Sequence, residues 1–463
     1  MNGIKPAEIL RFWFSLSAPV QRKPYLWSGL LLMGIRILYE CLIIAAFAGF
    51  ENARQLSPLH FVNPTFSGRY SLLSDMFSSM GIEMLAIALI TALALPMMWI
   101  GLSMSLRRAR NGGISQWWGL LFLFPGINYL AIAALCILPD REDINQPEPD
   151  ADSPEGLALA AVKASLYATV FAVGFTAVSV FILGDYGKAL FVATPMMMGT
   201  IAGWRINRPV FRSVTQGMSA AFVATLVSGG AMILLALEGI VCLSMVFPLV
   251  ILLSLTGGAF GSALARAQAL GSKSITTMAL VIPIVGTTDA QWPEPLHLYE
   301  NTSEIHIDAP PDAVWEHVVS FSELPPPSDW LLQTGIACPL RARIEGEGVG
   351  AVRYCEFTTG PFVEPITVWD PPHTLGFNVV EQPEPMHEWS PYDEVFSPHL
   401  KDTMMSQRGQ FELIETDQGT LLRGTTWYTL DLAPAPYWRL WSDFVVHRIH
   451  MRVLKHIKRL SEA

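Results

Sequence analysis

The sequence predicts an α-helical, multi-span membrane part followed by an α+β domain in which an antiparallel sheet is closed by one long helix. Three observations predict it. Of 463 residues, 51% are hydrophobic and 15% charged, against about 25% charged in soluble chains, and mean hydropathy is +0.37. The charge is also divided: residues 1–288 hold 18 Lys+Arg and 14 Asp+Glu, whereas 289–463 hold 12 and 26. Finally, long apolar runs stop near residue 288, where strand-like alternation takes over. The composition excludes a disordered chain, and the net charge of −10 disfavours a nucleic-acid partner. Five cysteines without a CxxC pair exclude a disulfide scaffold or zinc ribbon.

A spanning helix needs about 20 mostly apolar residues. Seven stretches qualify: about 26–49, 80–104, 117–138, 159–183, 188–204, 217–237 and 240–264. A weaker run at 274–286 is an eighth span if its Ser and Thr are tolerated, and otherwise an interfacial or re-entrant segment. The chain therefore divides into a three-span block at 1–140, an acidic Pro-rich linker at 141–158, a four-span block at 159–288 and a C-terminal domain at 289–463. No cleavable leader is expected, because Lys5, Arg11, Arg22 and Lys23 interrupt the opening residues.

Around the first span the chain reads RFWFSLSAPVQRKPYLW, and before the third LRRARNGGISQWWGLLFLFPGINYL. The basic doublet, polar turn, Trp pair and apolar run broken by Pro-Gly resemble the bacterial inner-membrane family called domain of unknown function 805, over about residues 10–140. Ala109, Arg110 and Asn111 stand where that family usually has Leu-His-Asp. The resemblance implies a bacterial inner-membrane location and no activity. Physically, Arg107, Arg108 and Arg110 read as cytoplasmic anchors, and Trp117 and Trp118 as headgroup-depth rings. Arg36 and Glu40, at i and i+4 inside the first span, predict a pair on one helix face. That pair is either part of a polar pathway or a self-neutralising packing device. One GxxxG spacing, Gly257 to Gly261, predicts close helix packing.

Lys and Arg near span ends set orientation. Arg22, Lys23 and Arg107 to Arg110 belong inside, yet three spans followed by four would leave Arg205, Arg208 and Arg212 outside. An eighth span would return the C-terminal domain to the cytoplasm. Otherwise the third segment is a hairpin bent at Pro125-Gly126, or one basic loop breaks the rule. A cytoplasmic C-terminal domain is the expectation.

In that domain TSEIHID (302–308) alternates like a strand, and Pro310-Pro311 opens a helix over 310–321. A short helix at 328–333 follows. Strands come next in LRARIEG, AVRYCEFTTG, PFVEPITVWD, HTLGFNVVE, SQRGQFELIET and GTLLRGTTWYTLDL, the last two joined by a turn at Asp417, Gln418 and Gly419. A helix over 435–460, opened by Pro436, closes the chain. Strand, helix pair, six strands and one long helix is the order of a helix-grip fold, whose sheet curls round the helix and leaves a cavity. The segments IHIDAPPDAVWEHVVSF, EGEGVGAVRYCEF, VWDPPHTLGFNV, GTTWY and YWRLWSDFVVHRIHMRVLKHIK resemble the START-like (SRPBCC) superfamily of polyketide cyclases, dehydrases and lipid-transfer proteins, over about 300–460. The resemblance implies a hydrophobic-ligand cavity, with enzyme activity only in some branches.

No GxSxG elbow or HExxH appears. His447 and His450 lack an accompanying carboxylate set. No catalytic residue, metal or cofactor is therefore assigned. Candidate ligand-binding residues are the polar or aromatic mid-strand positions Tyr354, Glu356, Glu364, Arg423 and Trp427, with Arg353 beside them. Strand neighbours face opposite ways, so Arg353 and Cys355 share one face and Tyr354 and Glu356 the other, with the inward face left open. Trp438, Trp441, Val445, Ile449 and Val453 form a helical stripe suited to closing the cavity. The Pro-rich insertion at 381–404, carrying Met386, Trp389, Tyr392 and Phe396, reads as a lid or a packed surface loop. Arg448, Arg452, Lys455 and Arg459 make a basic stripe, for helix-dipole compensation or for docking on anionic lipid headgroups. The expected function is membrane-anchored binding, transfer or sensing of a hydrophobic small molecule or lipid, with that ligand and membrane lipids as partners. The rivals are a cyclase, dehydrase or hydrolase in the same cavity, and a structural scaffold with a vestigial pocket.

Overall fold

The computed structural model describes residues 9, 12–15, 19–48, 83–123, 127–140, 153–180, 187–208, 210–235, 237–269, 296–390, 398–400 and 403–463. Most of the acidic linker, the 274–286 run, and Tyr392 and Phe396 lie outside them. The chain forms two units, residues 1–291 with 390–396, and residues 292–389 with 397–463.

The first unit is helical. Among the described residues its α-helices are α1 (Arg22–Ala48), α2 (Glu83–Asn111), α3 (Ile127–Ile137), α4 (Pro154–Val178), α5 (Thr194–Ile206), α6 (Val214–Leu234) and α7 (Ile240–Ala269). Among the described residues five stretches are long and apolar enough to cross a membrane: Arg22–Ile43, Gly156–Val178, Ala189–Ile206, Val214–Leu234 and Ile240–Gln268. The expected third span is not one helix. It is a 3-10 helix, Gln116–Leu123, and then α3. The 11 residues of α3 rise only about 16 Å, roughly half the hydrocarbon thickness.

Buried Arg108, near the end of α2, holds the end of α3. Its Nε donates to the Leu135 carbonyl at 2.9 Å and its Nη1 to Asp140 Oδ1 at 3.0 Å, with Leu138 O bound as well. Asp140 Oδ1 also accepts the Arg22 backbone N–H at 2.8 Å. The anticipated anchor is therefore a clamp that gathers the start of α1 and the ends of α2 and α3. Arg36 Nε bonds Glu40 Oε1 at 2.7 Å, the self-pairing that their spacing predicts. Between α5 and α7, a Cβ on Gly257 or Gly261 would strike the Met196 or Thr200 carbonyl oxygen, and one on Gly199 or Gly203 would strike that of Ser254 or Gly258. Two facing GxxxG pairs thus pack these helices, where one was expected.

The second unit is a seven-stranded antiparallel sheet in the order β1-β7-β6-β5-β4-β3-β2. The strands are β1 (Leu298–Ile307), β2 (Pro339–Glu345), β3 (Val352–Phe357), β4 (Gly360–Asp370), β5 (Thr374–Asn378), β6 (Met404–Thr416) and β7 (Gly419–Leu430). Helices α8 (Pro311–Val319) and α9 (Ala435–Ser461) complete the unit. Pro311 stands at the first position of α8, where a missing N–H costs nothing. The short helix expected at 328–333 is reduced to a 3-10 turn, Leu331–Gln333. Ile307, Val314, Val318, Leu375, Leu422, Leu454 and Ile457 make the core between sheet and α9. This is the helix-grip arrangement that the element order predicts.

Candidate functional site

Beside that core the sheet and α9 enclose a cavity of ≈ 160 Å³. Strand parity selects its walls. On β3, Arg353, Cys355 and Phe357 point inward, β4 adds Phe362 and Glu364, β5 Phe377, and β6 Phe411. From α9 come Val445, Ile449 and His450. Gly409 is where the chain needs no side chain, since a Cβ there would lie 2.5 Å from Cζ of Phe377.

Arg353 and Glu364 are register partners across β3 and β4. The Arg353 Nη1 donates to Glu364 Oε2, and both residues are buried. The guanidinium carbon lies 5.7, 5.4 and 5.7 Å from the ring centroids of Phe321, Phe377 and Phe411, within cation–π range, and Nε reaches the Val319 carbonyl at 3.3 Å. Burial pushes the Glu364 carboxyl above its usual range, and Arg353 opposes the shift. Burial, with the Glu364 charge, pushes the Cys355 thiol up to about 12, so this sulfur is protonated and unreactive at neutral pH. His450 Nε2 lies 2.8 Å from Thr426 Oγ1 and its Nδ1 3.2 Å from Ser303 Oγ, while His447 Nδ1 lies 2.8 Å from the same hydroxyl. Burial, then the neighbouring His447, lowers the His450 pKa to about 4. These two histidines are spoken for by hydroxyls.

The candidates from sequence separate. Glu364 and Val445 line the cavity. Tyr354 and Glu356 lie on the opposite face of β3: the Tyr354 ring carries the Arg343 guanidinium at 4.1 Å, and Glu356 pairs with Arg341 at 2.7 Å. Arg423 pairs outside with Glu304 at 2.6 Å and Glu412 at 3.1 Å. The Trp427 ring carries Arg408 at 4.2 Å, and its Nε1 donates to Glu300. Trp438 is buried with Nε1 on the Ala433 carbonyl, and Trp441 packs edge-on against Phe444. Neither reaches the cavity wall. Of the α9 stripe read from spacing, Val445, Ile449 and Val453 line the cavity and Trp441 does not, and the buried residues of the helix include Trp438, Ser442, Val446, Val453 and Ile457.

Of the lid positions, Met386 is buried and bridges Ile336, and Trp389 is 65% exposed. From the same insertion, Gln382, Pro383 and Pro385 line the cavity. Gln382 is tied to β6 through Met404 O and the Ser406 N–H. The basic stripe is partly consumed: Arg448 pairs with Asp329 at 2.7 Å, and Arg452 donates to the Pro339 and Pro325 carbonyls. Lys455 and Arg459 remain exposed. Sequence reasoning missed the inward phenylalanines and the weight of Arg353. The signal was the parity shared by Arg353, Cys355 and Phe357.

Residues 300–438 match the family model described as polyketide cyclase / dehydrase and lipid transport. The C-terminal unit is a START-like domain. Residues 13–146 match the model described as protein of unknown function, DUF805. No curated protein matches the chain. Among solved structures, the START-like domain is similar to norcoclaurine synthase from Thalictrum flavum in complex with dopamine and hydroxybenzaldehyde (13% identity, TM-score 0.24, 36% of this chain and 87% of that one). It is also similar to the Zhui aromatase/cyclase from Streptomyces sp. R1128 (16%, 0.24, 36% and 94%).

Proposed function

We propose that the START-like domain binds an apolar small molecule whose buried part is about one ring in size. The observation that carries this reading is a cavity of ≈ 160 Å³ with phenylalanines in its wall, whose Arg353–Glu364 ion pair is satisfied internally. A dry apolar cavity of about 150 Å³ accepts benzene, and pockets of this composition use few polar groups to orient a ligand. A whole diacyl lipid exceeds that space, so a lipid would enter by one chain. Native mass spectrometry of the purified full-length protein tests it. An apolar adduct is expected, and Val445→Trp should remove it. An adduct that survives Val445→Trp would reject the site.

The enzyme reading rests on Glu364, a carboxyl raised by burial at the cavity wall, which is the state expected of a group that exchanges protons. If it holds, Glu364→Gln should retain the adduct and lose turnover.

For location we propose an inner-membrane protein whose C-terminal domain is cytoplasmic. The clamp of Arg22 and Arg108 on Asp140 supports a third segment that returns to the face it left. With that hairpin the linker stays inside. Four further spans then put Arg205, Arg208, Arg212 and Arg266 inside too, as their charge prefers. A C-terminal fluorescent fusion should light in the cytoplasm, and activity of an externally active reporter instead would overturn the orientation.

A further inference from the structure

We infer that the helical unit contains a ligand site of its own, built for a neutral amphiphile with a hydroxyl head. A cavity of ≈ 340 Å³ lies among α1, α2, α3 and the end of α6, inside the size range of small-molecule sites. Its walls are largely apolar, with Leu30, Met97, Phe122 and Ile132 among them.

Asn128, in the first turn of α3, lines this cavity with its side chain fully buried. Neither Oδ1 nor Nδ2 has a hydrogen-bond partner among the described residues. A buried amide left unsatisfied is costly, and buried polar groups in native structures nearly always have partners. A hydroxyl can satisfy both atoms, donating to Oδ1 and accepting from Nδ2.

The charge of the lining decides the kind of head. Among the described lining residues Arg36 and Glu40 carry the charges, and they bond each other at 2.7 Å. A pair that is neutral as a unit offers no counter-charge to a carboxylate, phosphate or ammonium, and an uncompensated charge here would be expensive. An uncharged head avoids that penalty. Leu26 and Leu30 line the cavity and remain 43% and 55% exposed. The cavity therefore meets the outer surface of the helices at α1, where an alkyl chain can leave it.

Gly29 offers a clean way to close the site. It lines the cavity, and a Cβ added to it meets nothing within 4 Å, so the side chain of Gly29→Leu starts in open space, and the substitution favours the helix.

The test uses purified full-length protein in nanodiscs and three photoreactive probes bearing the same diazirine chain: a long-chain alcohol, the matching fatty acid and the matching alkane. The alcohol should label peptides of α1 or α3 about tenfold more than either analogue, the effect of two hydrogen bonds. Gly29→Leu should suppress that labelling. Asn128→Leu should bring the alcohol down to the alkane's level and leave the alkane unchanged. Undiminished alcohol labelling in Gly29→Leu would overturn the site, and acid labelling equal to alcohol would overturn the neutral head. Should Asn128→Leu fail to fold, Gly29→Leu and the probe series still decide.

Discussion

The two faces of the START-like sheet carry the same ion-pair chemistry in opposite surroundings. On the inner face Arg353 and Glu364, opposite each other on β3 and β4, are sealed among phenylalanine rings. On the outer face Arg423 stands between Glu304 and Glu412, opposite it on β1 and β6, and Arg341 meets Glu356 across β2 and β3. The outer pairs gain little because water already solvates both members. The inner pair has lost that water, so each member depends on the other. A charged residue in mid-strand therefore marks nothing by itself. Its parity decides whether it is solvated decoration or a wall of the cavity.

Removing one inner partner is the strongest attack on this contrast. Glu364→Ala leaves Arg353 buried without a counter-charge and should cost about 3–5 kcal/mol of stability, read from denaturant midpoints of the START-like domain. Arg353→Met combined with Glu364→Leu should recover most of the loss. If Glu364→Ala proves as mild as Glu356→Ala, the contrast is wrong.

Acid should act on the inner side next. The folded-state pKa of His450, about 4, lies below its ordinary value of 6.5. As pH falls, the unfolded chain takes the proton first. The stabilising contribution is therefore complete above pH 6.5 and declines until about pH 4, by about 3 kcal/mol in all. His456, also lowered by burial, adds in the same direction. His450→Gln should flatten most of the slope between these pH values, and an unchanged slope would place the titration elsewhere.

Packing on the inner face gives a smaller effect. Gly409→Ala would set a methyl 2.5 Å from Cζ of Phe377 and should cost about 1–3 kcal/mol, together with weaker retention of any co-purified adduct. A stable variant with full retention would show that the Phe377 ring can move aside. The least effect is expected outside. Glu356→Gln removes an exposed, screened pair with Arg341, and its melting temperature should match wild type within replicate scatter at physiological salt.

Much of this protein was legible without coordinates because it depends on local repeats. The length of apolar runs marked five long apolar helices among the described residues, alternation marked the strands, and Pro311 and Pro436 marked helix starts. The order of those elements was enough for a helix grip. The sequence also determined that Arg353 and Glu356 lie on opposite faces, since neighbouring parity is a property of the strand itself. Only the tertiary structure decided which parity is inward, because that depends on the side toward which the sheet curls round α9. It therefore put Glu364 inside and left Tyr354, Glu356, Arg423 and Trp427 outside. It likewise left Trp441 off the cavity wall that Val445, Ile449 and Val453 of the same stripe line, since the facing line of a helix is chosen by what packs on it. And it broke the third apolar run in two, because a run of hydropathy carries no record of the Arg108 clamp on Asp140 that draws the far end of α3 back beside α2.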